Sequence, residues 1–116
     1  MSSSSHASTT SGTDVVVVVA VFPAAPGRLD DLRAALVEAI PAVHAEEGCL
    51  LYAIHDGPDD QIWMLEKWSS TALLDAHGSG PAVARLQELT SGLTAGPVQV
   101  TRMRPIPAGT PGQGLL

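Results

Sequence analysis

The first apolar segment of the chain is an unbroken, valine-rich run. It extends from Val15 to Phe22, begins with five valines, and is ended by Pro23. A continuous β-branched segment of this kind is typical of a central strand buried on both faces. It is much shorter than the ~20 apolar residues that a membrane-spanning helix requires. The run therefore predicts a strand and not a membrane anchor.

An amphipathic helix is predicted after the turn residues Pro26 and Gly27. Its apolar positions recur at spacings of three and four residues, which places them on one helical face. These positions are Leu29, Leu32, Leu36, Ala39, Ile40 and Val43. Pro41 lacks an amide hydrogen, so we expect the helix to kink or end near Ala39. Gly48 then stops the helical region.

Two alternating segments separated by a turn predict a β-hairpin. The first runs from Cys49 to Asp56 and the second from Gln61 to Trp68, joined by the turn sequence Gly-Pro-Asp-Asp. Strict alternation predicts two faces for each strand. On the first strand Leu50, Tyr52 and Ile54 share a face opposite Cys49, Leu51, Ala53 and His55; on the second, Ile62, Met64, Glu66 and Trp68 share a face.

The second helical region is predicted in two parts, followed by a last strand. Helix from Ala72 to His77 is interrupted at Gly78-Ser79-Gly80-Pro81 and resumes until about Leu93, and the segment around Val98 and Val100 predicts the fourth strand. The order β-α-β-β-α-β predicts an α+β, ferredoxin-like fold with both helices on one face of the sheet. The other, apolar face predicts a homodimer.

Composition limits the domain organisation and the partners. A chain of 116 residues, 45% hydrophobic, has room for one domain, which we assign to residues 14–106. Residues 1–13 are predicted to be a disordered Ser/Thr-rich tail without a secretory signal, and residues 107–116 a flexible C-terminal tail. A net charge of −6 argues against nucleic acid and anionic membranes as partners.

Cysteine and histidine usage indicates a cytoplasmic protein without a structural metal. The single Cys49 cannot form an internal disulfide, which fits a reducing compartment. One cysteine and four scattered histidines provide no metal-ligand spacing, so no metal site is predicted.

Several short motifs together resemble the antibiotic biosynthesis monooxygenase family. They are Glu47-Gly48-Cys49-Leu50-Leu51-Tyr52, Leu65-Glu66-Lys67-Trp68, Ala76-His77 and Gly80-Pro81, in this order over about ninety residues. The resemblance implies a dimeric α+β barrel with one pocket per subunit. It also implies oxidation of a quinol, anthrone or similar aromatic phenol to a quinone by dioxygen, with no cofactor. Two alternatives stay open: a non-catalytic dimer that binds a small aromatic molecule, and an isomerase or cyclase acting through an enolate.

The resemblance and the strand pattern together indicate candidate site residues. Trp68 matches the family's tryptophan and could form an aromatic wall for substrate or a core anchor. Glu66 shares its face and is a candidate base with a raised pKa, or a structural ion-pair partner. His77 matches the family's alanine-histidine position and could transfer protons or end its helix.

Three further residues complete the candidates. His55 and Tyr52 lie on opposite faces of one strand, so only one can face the pocket; His55 is favoured for proton abstraction, and Tyr52 is a substrate-binding candidate. Arg85 could hold a substrate oxygen or be a solvated helical side chain. Some relatives use an asparagine beside the tryptophan, but this chain contains none. An asparagine-dependent mechanism and haem degradation are therefore poor interpretations.

Overall fold

Strands and helices alternate in the predicted order within residues 14–116, the part of the chain that the computed structural model describes. The elements are β1 (Val16–Pro23), α1 (Leu29–His44), β2 (Cys49–Asp56), β3 (Gln61–Trp68), α2 (Thr71–Gly78), α3 (Pro81–Thr90) and β4 (Gln99–Met103). The N-terminal tail predicted for residues 1–13 lies outside the described residues. The α+β, ferredoxin-like prediction is confirmed, with the second helical region divided into α2 and α3.

The four strands form one antiparallel sheet in the order β2-β3-β1-β4. The valine run is the central strand β1, which pairs with β3 on one side and β4 on the other. Alternate residues of β1 and β3 point toward the helices and form what we call the helix-facing layer. Its members on these two strands are Val16, Val18, Ala20, Phe22, Ile62, Met64, Glu66 and Trp68. This layer is the floor of the core and of the site described below.

The core lies between the helix-facing layer and the buried stripe of α1. Leu32, Leu36 and Val43 of this stripe are fully buried, as are Met64 and Trp68 of the sheet. Burying one side chain of this size contributes about 1.5–3 kcal/mol relative to leaving it exposed. The helical periodicity that predicted α1 therefore also locates the main source of stability.

A β-bulge changes the predicted faces of β2. The register shifts between Cys49 and Leu51, so that Cys49 pairs with Trp68 while Leu51 pairs with Lys67. Cys49 consequently packs against the core, and Leu50 is 55% exposed. The prediction that Leu50 shares the face of Tyr52 was wrong, because one extra residue in a bulge inverts the alternation on one side of it.

Pro41 does not end the first helix, which was one of the two outcomes expected from the sequence. Helix α1 continues through Pro41 to His44. The missing amide hydrogen deprives the carbonyl of Val37 of its helical partner, but both residues are exposed, so water can satisfy that carbonyl. The buried stripe continues to Val43, which keeps the last turn attached to the core.

The sheet face opposite the helices carries apolar side chains. It includes Val19, Val21, Trp63 and Leu65, of which Trp63 is 37% exposed. We call this surface the open face. Among the described helices, none is long and apolar enough to cross a bilayer.

Candidate functional site

A cavity of about 250 Å³ lies between the helix-facing layer and helices α2 and α3. Its lining consists of Val18, Ala20, Phe22, Tyr52, Glu66, Leu74, His77, Gly78, Val83, Leu86, Gln87, Thr90, Val98, Val100 and Arg102. Val100 lines the cavity and is nevertheless 61% exposed, so the cavity opens at the β4 edge of the sheet. Its volume is just below the ~300–1,000 Å³ of common ligand pockets, which suits a small ligand.

Strand register aligns four side chains in one row across the floor of the cavity. Tyr52 pairs with Glu66, Glu66 with Val18, and Val18 with Arg102. Paired residues of neighbouring strands point to the same face of a sheet, so all four line the same cavity. The row therefore has a phenol and a carboxyl at one end, an aliphatic centre, and a guanidinium at the β4 end.

His77 on α2 covers the Tyr52 end of this row. Its Nδ1 atom lies 2.6 Å from Oε1 of Glu46, which follows α1. The imidazole is only 7% exposed, and its ring lies 5.5 Å, edge-on, from the ring of Tyr52. A carboxylate at this distance accepts the Nδ1 hydrogen and leaves Nε2 as the proton acceptor of the neutral ring.

The turn after α1 brings Glu46 against α2. Gly48 has a φ of +86°, and a Cβ atom at this position would lie 2.6 Å from a side-chain carbon of Leu73 in α2. Both the backbone conformation and the close approach require glycine. The Glu-x-Gly sequence thus has a local physical reason: glycine allows α2 to approach closely enough for Glu46 to reach His77.

Trp68 lies behind the cavity wall and does not line it. Its side chain is fully buried, and its Nε1 donates a 3.0 Å hydrogen bond to Oε1 of Glu66. Its ring lies 4.5 Å from the ring of His77 and 6.5 Å from that of Tyr52. Trp68 thus contacts three residues of the cavity wall and restricts their positions, a role different from the aromatic wall considered from the sequence.

Burial changes the protonation preference of two groups in the cavity. Burial raises the pKa of Glu66, while the hydrogen bond from Trp68 and the nearby His77 and Arg102 partly oppose this. Burial also raises the pKa of Tyr52, with a smaller contribution from the charge on Glu66. Tyr52 is therefore a neutral hydrogen-bond donor at ordinary pH, and Glu66 can carry a proton at a higher pH than an exposed glutamate.

Reactive atoms of the cluster are accessible from the cavity. Every fully buried side-chain nitrogen or oxygen within residues 14–116 has a hydrogen-bond partner. Nε2 of His77 and the hydroxyl of Tyr52 form none with the other described residues, and both side chains line the cavity. These two atoms are consequently accessible to a ligand. The arrangement can accept a proton at Nε2 and donate hydrogen bonds from Tyr52.

The structure places two of the predicted site residues away from the cavity. His55 lies on the open face, with Nδ1 3.4 Å from the carbonyl oxygen of Trp63. Arg85 lies on the solvent side of α3 and forms an exposed ion pair with Glu38 at 3.0 Å. Neither residue lines the cavity that Glu66, His77 and Tyr52 share.

Two residues of the site were not identified from the sequence. Glu46 belongs to the Glu-Glu-Gly segment, in which Glu47 rather than Glu46 was assigned to the family motif. Arg102 lies on β4, where alternation with Val98 and Val100 was the available signal that it faces the helices. Within the described part of the chain, no group of three or more His, Cys, Asp or Glu residues is arranged to hold a metal ion.

Comparison with known proteins now identifies the family. A family model described as antibiotic biosynthesis monooxygenase matches residues 15–89, which is most of the chain. The chain belongs to the antibiotic biosynthesis monooxygenase family. The resemblance inferred from the motifs around Tyr52, Trp68 and His77 is thereby confirmed. A comparison with curated proteins found no significant match.

Solved structures of similar proteins share the fold of this family member. Rv0793 from Mycobacterium tuberculosis is 29% identical, with a TM-score of 0.73 over 83% of this chain and 99% of that chain. SO0527 from Shewanella oneidensis is 26% identical, with a TM-score of 0.70 over 78% of this chain and 90% of that chain. NE2512 from Nitrosomonas europaea, a protein of unknown function, is 20% identical, with a TM-score of 0.74 over 86% of this chain and 97% of that chain. At this identity the similarity shows the fold alone.

Proposed function

We propose that this protein is a cofactor-independent monooxygenase that oxidises a quinol, anthrone or similar aromatic phenol to a quinone with dioxygen. The observation that carries the proposal is the Glu46–His77 pair at the wall of a mostly apolar cavity. An imidazole held by a carboxylate at Nδ1 is a suitable general base at Nε2, because the carboxylate stabilises the imidazolium that forms. Family membership supports the same reaction class.

In the proposed reaction, the substrate itself reduces dioxygen. Nε2 of His77 accepts the acidic proton of an anthrone or its phenol tautomer, which leaves an enolate. The enolate transfers an electron to dioxygen, and the resulting radicals combine to form a carbon–oxygen bond. After protonation of the peroxide, the O–O bond breaks as the hydrogen on the same carbon is lost, which yields the quinone carbonyl and water.

Glu66 and Tyr52 are assigned supporting roles in this proposal. Because burial raises its pKa, Glu66 can hold the proton that the peroxide requires. The neutral Tyr52 hydroxyl can donate a hydrogen bond to the substrate oxygen as negative charge develops there. Trp68 acts as a positioning residue through its contacts with Glu66 and His77. The apolar remainder of the wall excludes water from the enolate.

We also propose that the working unit is a cytoplasmic homodimer formed through the open face. Val19, Val21, Trp63 and Leu65 give this face an apolar character that a second copy would bury. Dimers are common in this family, which supports the same assignment. The small aromatic substrate and dioxygen are then the remaining partners.

Oxygen uptake by the purified, chelator-treated protein tests the reaction. The substrates are a panel of hydroquinones and anthrones, with autoxidation subtracted. We expect His77→Ala to lower kcat by about a hundredfold or more, because general-base catalysis contributes this much. The control is Arg85→Ala, which shortens an exposed side chain that lies outside both the cavity and the open face and should leave kcat unchanged.

Other outcomes distinguish the alternative functions. Product formation without oxygen uptake would indicate an isomerase or cyclase and overturn the monooxygenase proposal. Ligand binding without any turnover would indicate a binding protein. Equal losses in His77→Ala and Arg85→Ala would contradict the assignment of His77 as the base.

A further inference from the structure

The cavity has two chemically different ends, joined by the row of side chains on its floor. Neighbouring strands are ~4.8 Å apart, so the Cα atom of Arg102 lies about 10 Å from that of Glu66 along the row and about 14 Å from that of Tyr52. His77 stands over the Tyr52 end, since its ring is 5.5 Å from the tyrosine ring. The proton-handling groups and the backbone of Arg102 are therefore at opposite ends of the row, and the Arg102 guanidinium reaches Asp75 of α2.

Between Glu66 and Arg102 the floor and roof of the cavity are mainly apolar. Val18 occupies the row between Glu66 and Arg102, with Ala20 beside it, and Leu86 and Val83 face them from α3. A ring system lying along the row would contact aliphatic carbon on both faces. Such a ligand would extend from His77 to Arg102 over Val18 and Ala20, with Glu66 beside its His77 end.

Arg102 is the only lysine or arginine that lines the cavity among residues 14–116. One of its terminal nitrogens donates to Asp75 at 2.8 Å, and both side chains are about half exposed, at 47% and 61%. Exposed ion pairs of this kind contribute little to stability. A guanidinium has five N–H donors, so Arg102 can bind a second carboxylate beside Asp75 or exchange one for the other.

We propose that the cavity selects aromatic phenols that carry a carboxylate at the end opposite the reacting hydroxyl, and that Arg102 binds this carboxylate. The orientation of the hydroxyl toward His77 rests on the proposed function. Arg102 is then a specificity-determining residue, since it contacts the substrate far from the reacting atoms. A carboxylate matches the planar fork of the guanidinium.

Charge favours a carboxylate over a phosphate at this position. Arg102 is already paired with Asp75, and the chain has a net charge of −6. This negative charge repels a doubly charged phosphate more strongly than a singly charged carboxylate. Burial raises the pKa of Glu66, so this carboxyl is neutral up to a higher pH than an exposed glutamate. A neutral carboxyl does not repel a bound anion. The small volume of the cavity also favours the smaller group.

Calorimetric binding of three probes in the absence of dioxygen, which prevents their oxidation, tests the proposal. They are a hydroxynaphthoate whose hydroxyl is on the ring opposite the carboxylate, its isomer with the two groups adjacent, and the naphthol without a carboxylate. We expect the first to bind about tenfold more tightly than the other two, the equivalent of one charge-assisted hydrogen bond at a half-exposed site. This preference should be lost in Arg102→Gln.

Arg85→Gln is the matched control, because Arg85 also forms an exposed ion pair but lies outside the cavity. It should keep the tenfold preference. The proposal is overturned if the unmodified protein does not prefer the first probe or if Arg102→Gln keeps the preference. It is also overturned if an analogue of the first probe with a phosphate in place of the carboxylate binds more tightly than the first probe. A preference for the first probe without oxygen uptake from any quinol would support the role of Arg102 and refute the monooxygenase function. Oxygen uptake without this preference would support the monooxygenase function and refute the role of Arg102.

Discussion

Nδ1 of His77 lies 2.6 Å from Oε1 of Glu46, although the two residues are 31 positions apart. Glu46 follows α1, and His77 is in the last turn of α2. The contact joins the two helical regions at the wall of the cavity. It also determines which imidazole nitrogen is left for a ligand, so the proposed chemistry depends on it.

Glu46→Gln should separate the charge of this contact from its geometry. Glutamine can still accept the Nδ1 hydrogen, but it does not stabilise an imidazolium. We expect kcat to fall by about ten- to a hundredfold, as for other residues that orient a functional histidine, with little change in KM. Glu47→Gln, at the exposed neighbouring position, is the control. Similar kcat values for the two variants would show that the Glu46 charge has no role.

Burial of Glu66 predicts a specific dependence of stability on pH. Its folded-state pKa is raised above the ordinary value of 4.5, so the folded protein binds more protons than the unfolded chain between the two pKa values. The contribution of Glu66 to stability is thus present at low pH and is lost as pH rises from about 4.5 through the folded pKa. Glu66→Gln lacks this loss.

Urea unfolding at a series of pH values measures this effect. The unfolding free energy of Glu66→Gln minus that of the unmodified protein should increase with pH across this window. Glu88→Gln, at an exposed position of α3, is the control for the loss of one glutamate carboxyl. A flat difference for Glu66→Gln would mean that the carboxyl is solvated.

Tyr52→Phe should weaken ligand binding without changing the pH profile of the reaction. Burial raises the pKa of Tyr52, so the hydroxyl stays protonated and does not act as a base. Loss of one hydrogen bond to the substrate oxygen should raise the Kd by about two- to tenfold. The phenylalanine ring keeps the edge contacts with Trp68 and His77. A shift of the pH–rate profile in this variant would instead indicate proton transfer by Tyr52.

The two tryptophans offer a matched test of the proposed positioning role. Each indole nitrogen donates to the side chain two residues earlier, Trp68 to Glu66 at 3.0 Å and Trp63 to Gln61 at 3.2 Å. Trp68→Phe should destabilise the protein by about 1–3 kcal/mol, because it loses packing contacts and the hydrogen bond to the buried carboxyl of Glu66. It should also raise the pKa of Glu66 further, because the indole hydrogen bond lowers it.

Trp63→Phe should change stability less, because Trp63 is 37% exposed within the subunit and phenylalanine keeps an apolar ring on the open face. Thermal unfolding gives both stability changes, and carbon NMR titration of the labelled Glu66 carboxyl gives its pKa. An unchanged Glu66 pKa in Trp68→Phe would contradict the positioning role.

A charge on the open face should dissociate the proposed homodimer. Leu65→Glu places a carboxylate at the centre of the apolar surface, where a second copy would bury it without a partner. We expect sedimentation equilibrium to show monomers for Leu65→Glu at concentrations where the unmodified protein is dimeric. Val37→Glu, at a 58% exposed position of α1, should remain dimeric. A monomeric unmodified protein would refute the assembly.

Strand assignments were the most accurate part of the sequence interpretation. The bounds Cys49–Asp56 and Gln61–Trp68 match the structure, because alternation and turn residues are local signals. The exceptions have identifiable causes. A bulge at Leu50 depends on the partner strand, and the continuation of α1 through Pro41 depends on core contacts made by Val43.

The sequence by itself determined the order of strands and helices and placed Glu66 and Trp68 on one face of β3, since periodicity along one segment is sufficient for both. Only the tertiary structure decided that Glu46 meets His77, that Trp68 is behind the wall, and that Arg102 and not Arg85 reaches the cavity. The physical reason is that such contacts join segments distant along the chain, and they form only when buried surfaces of the sheet and helices pack together.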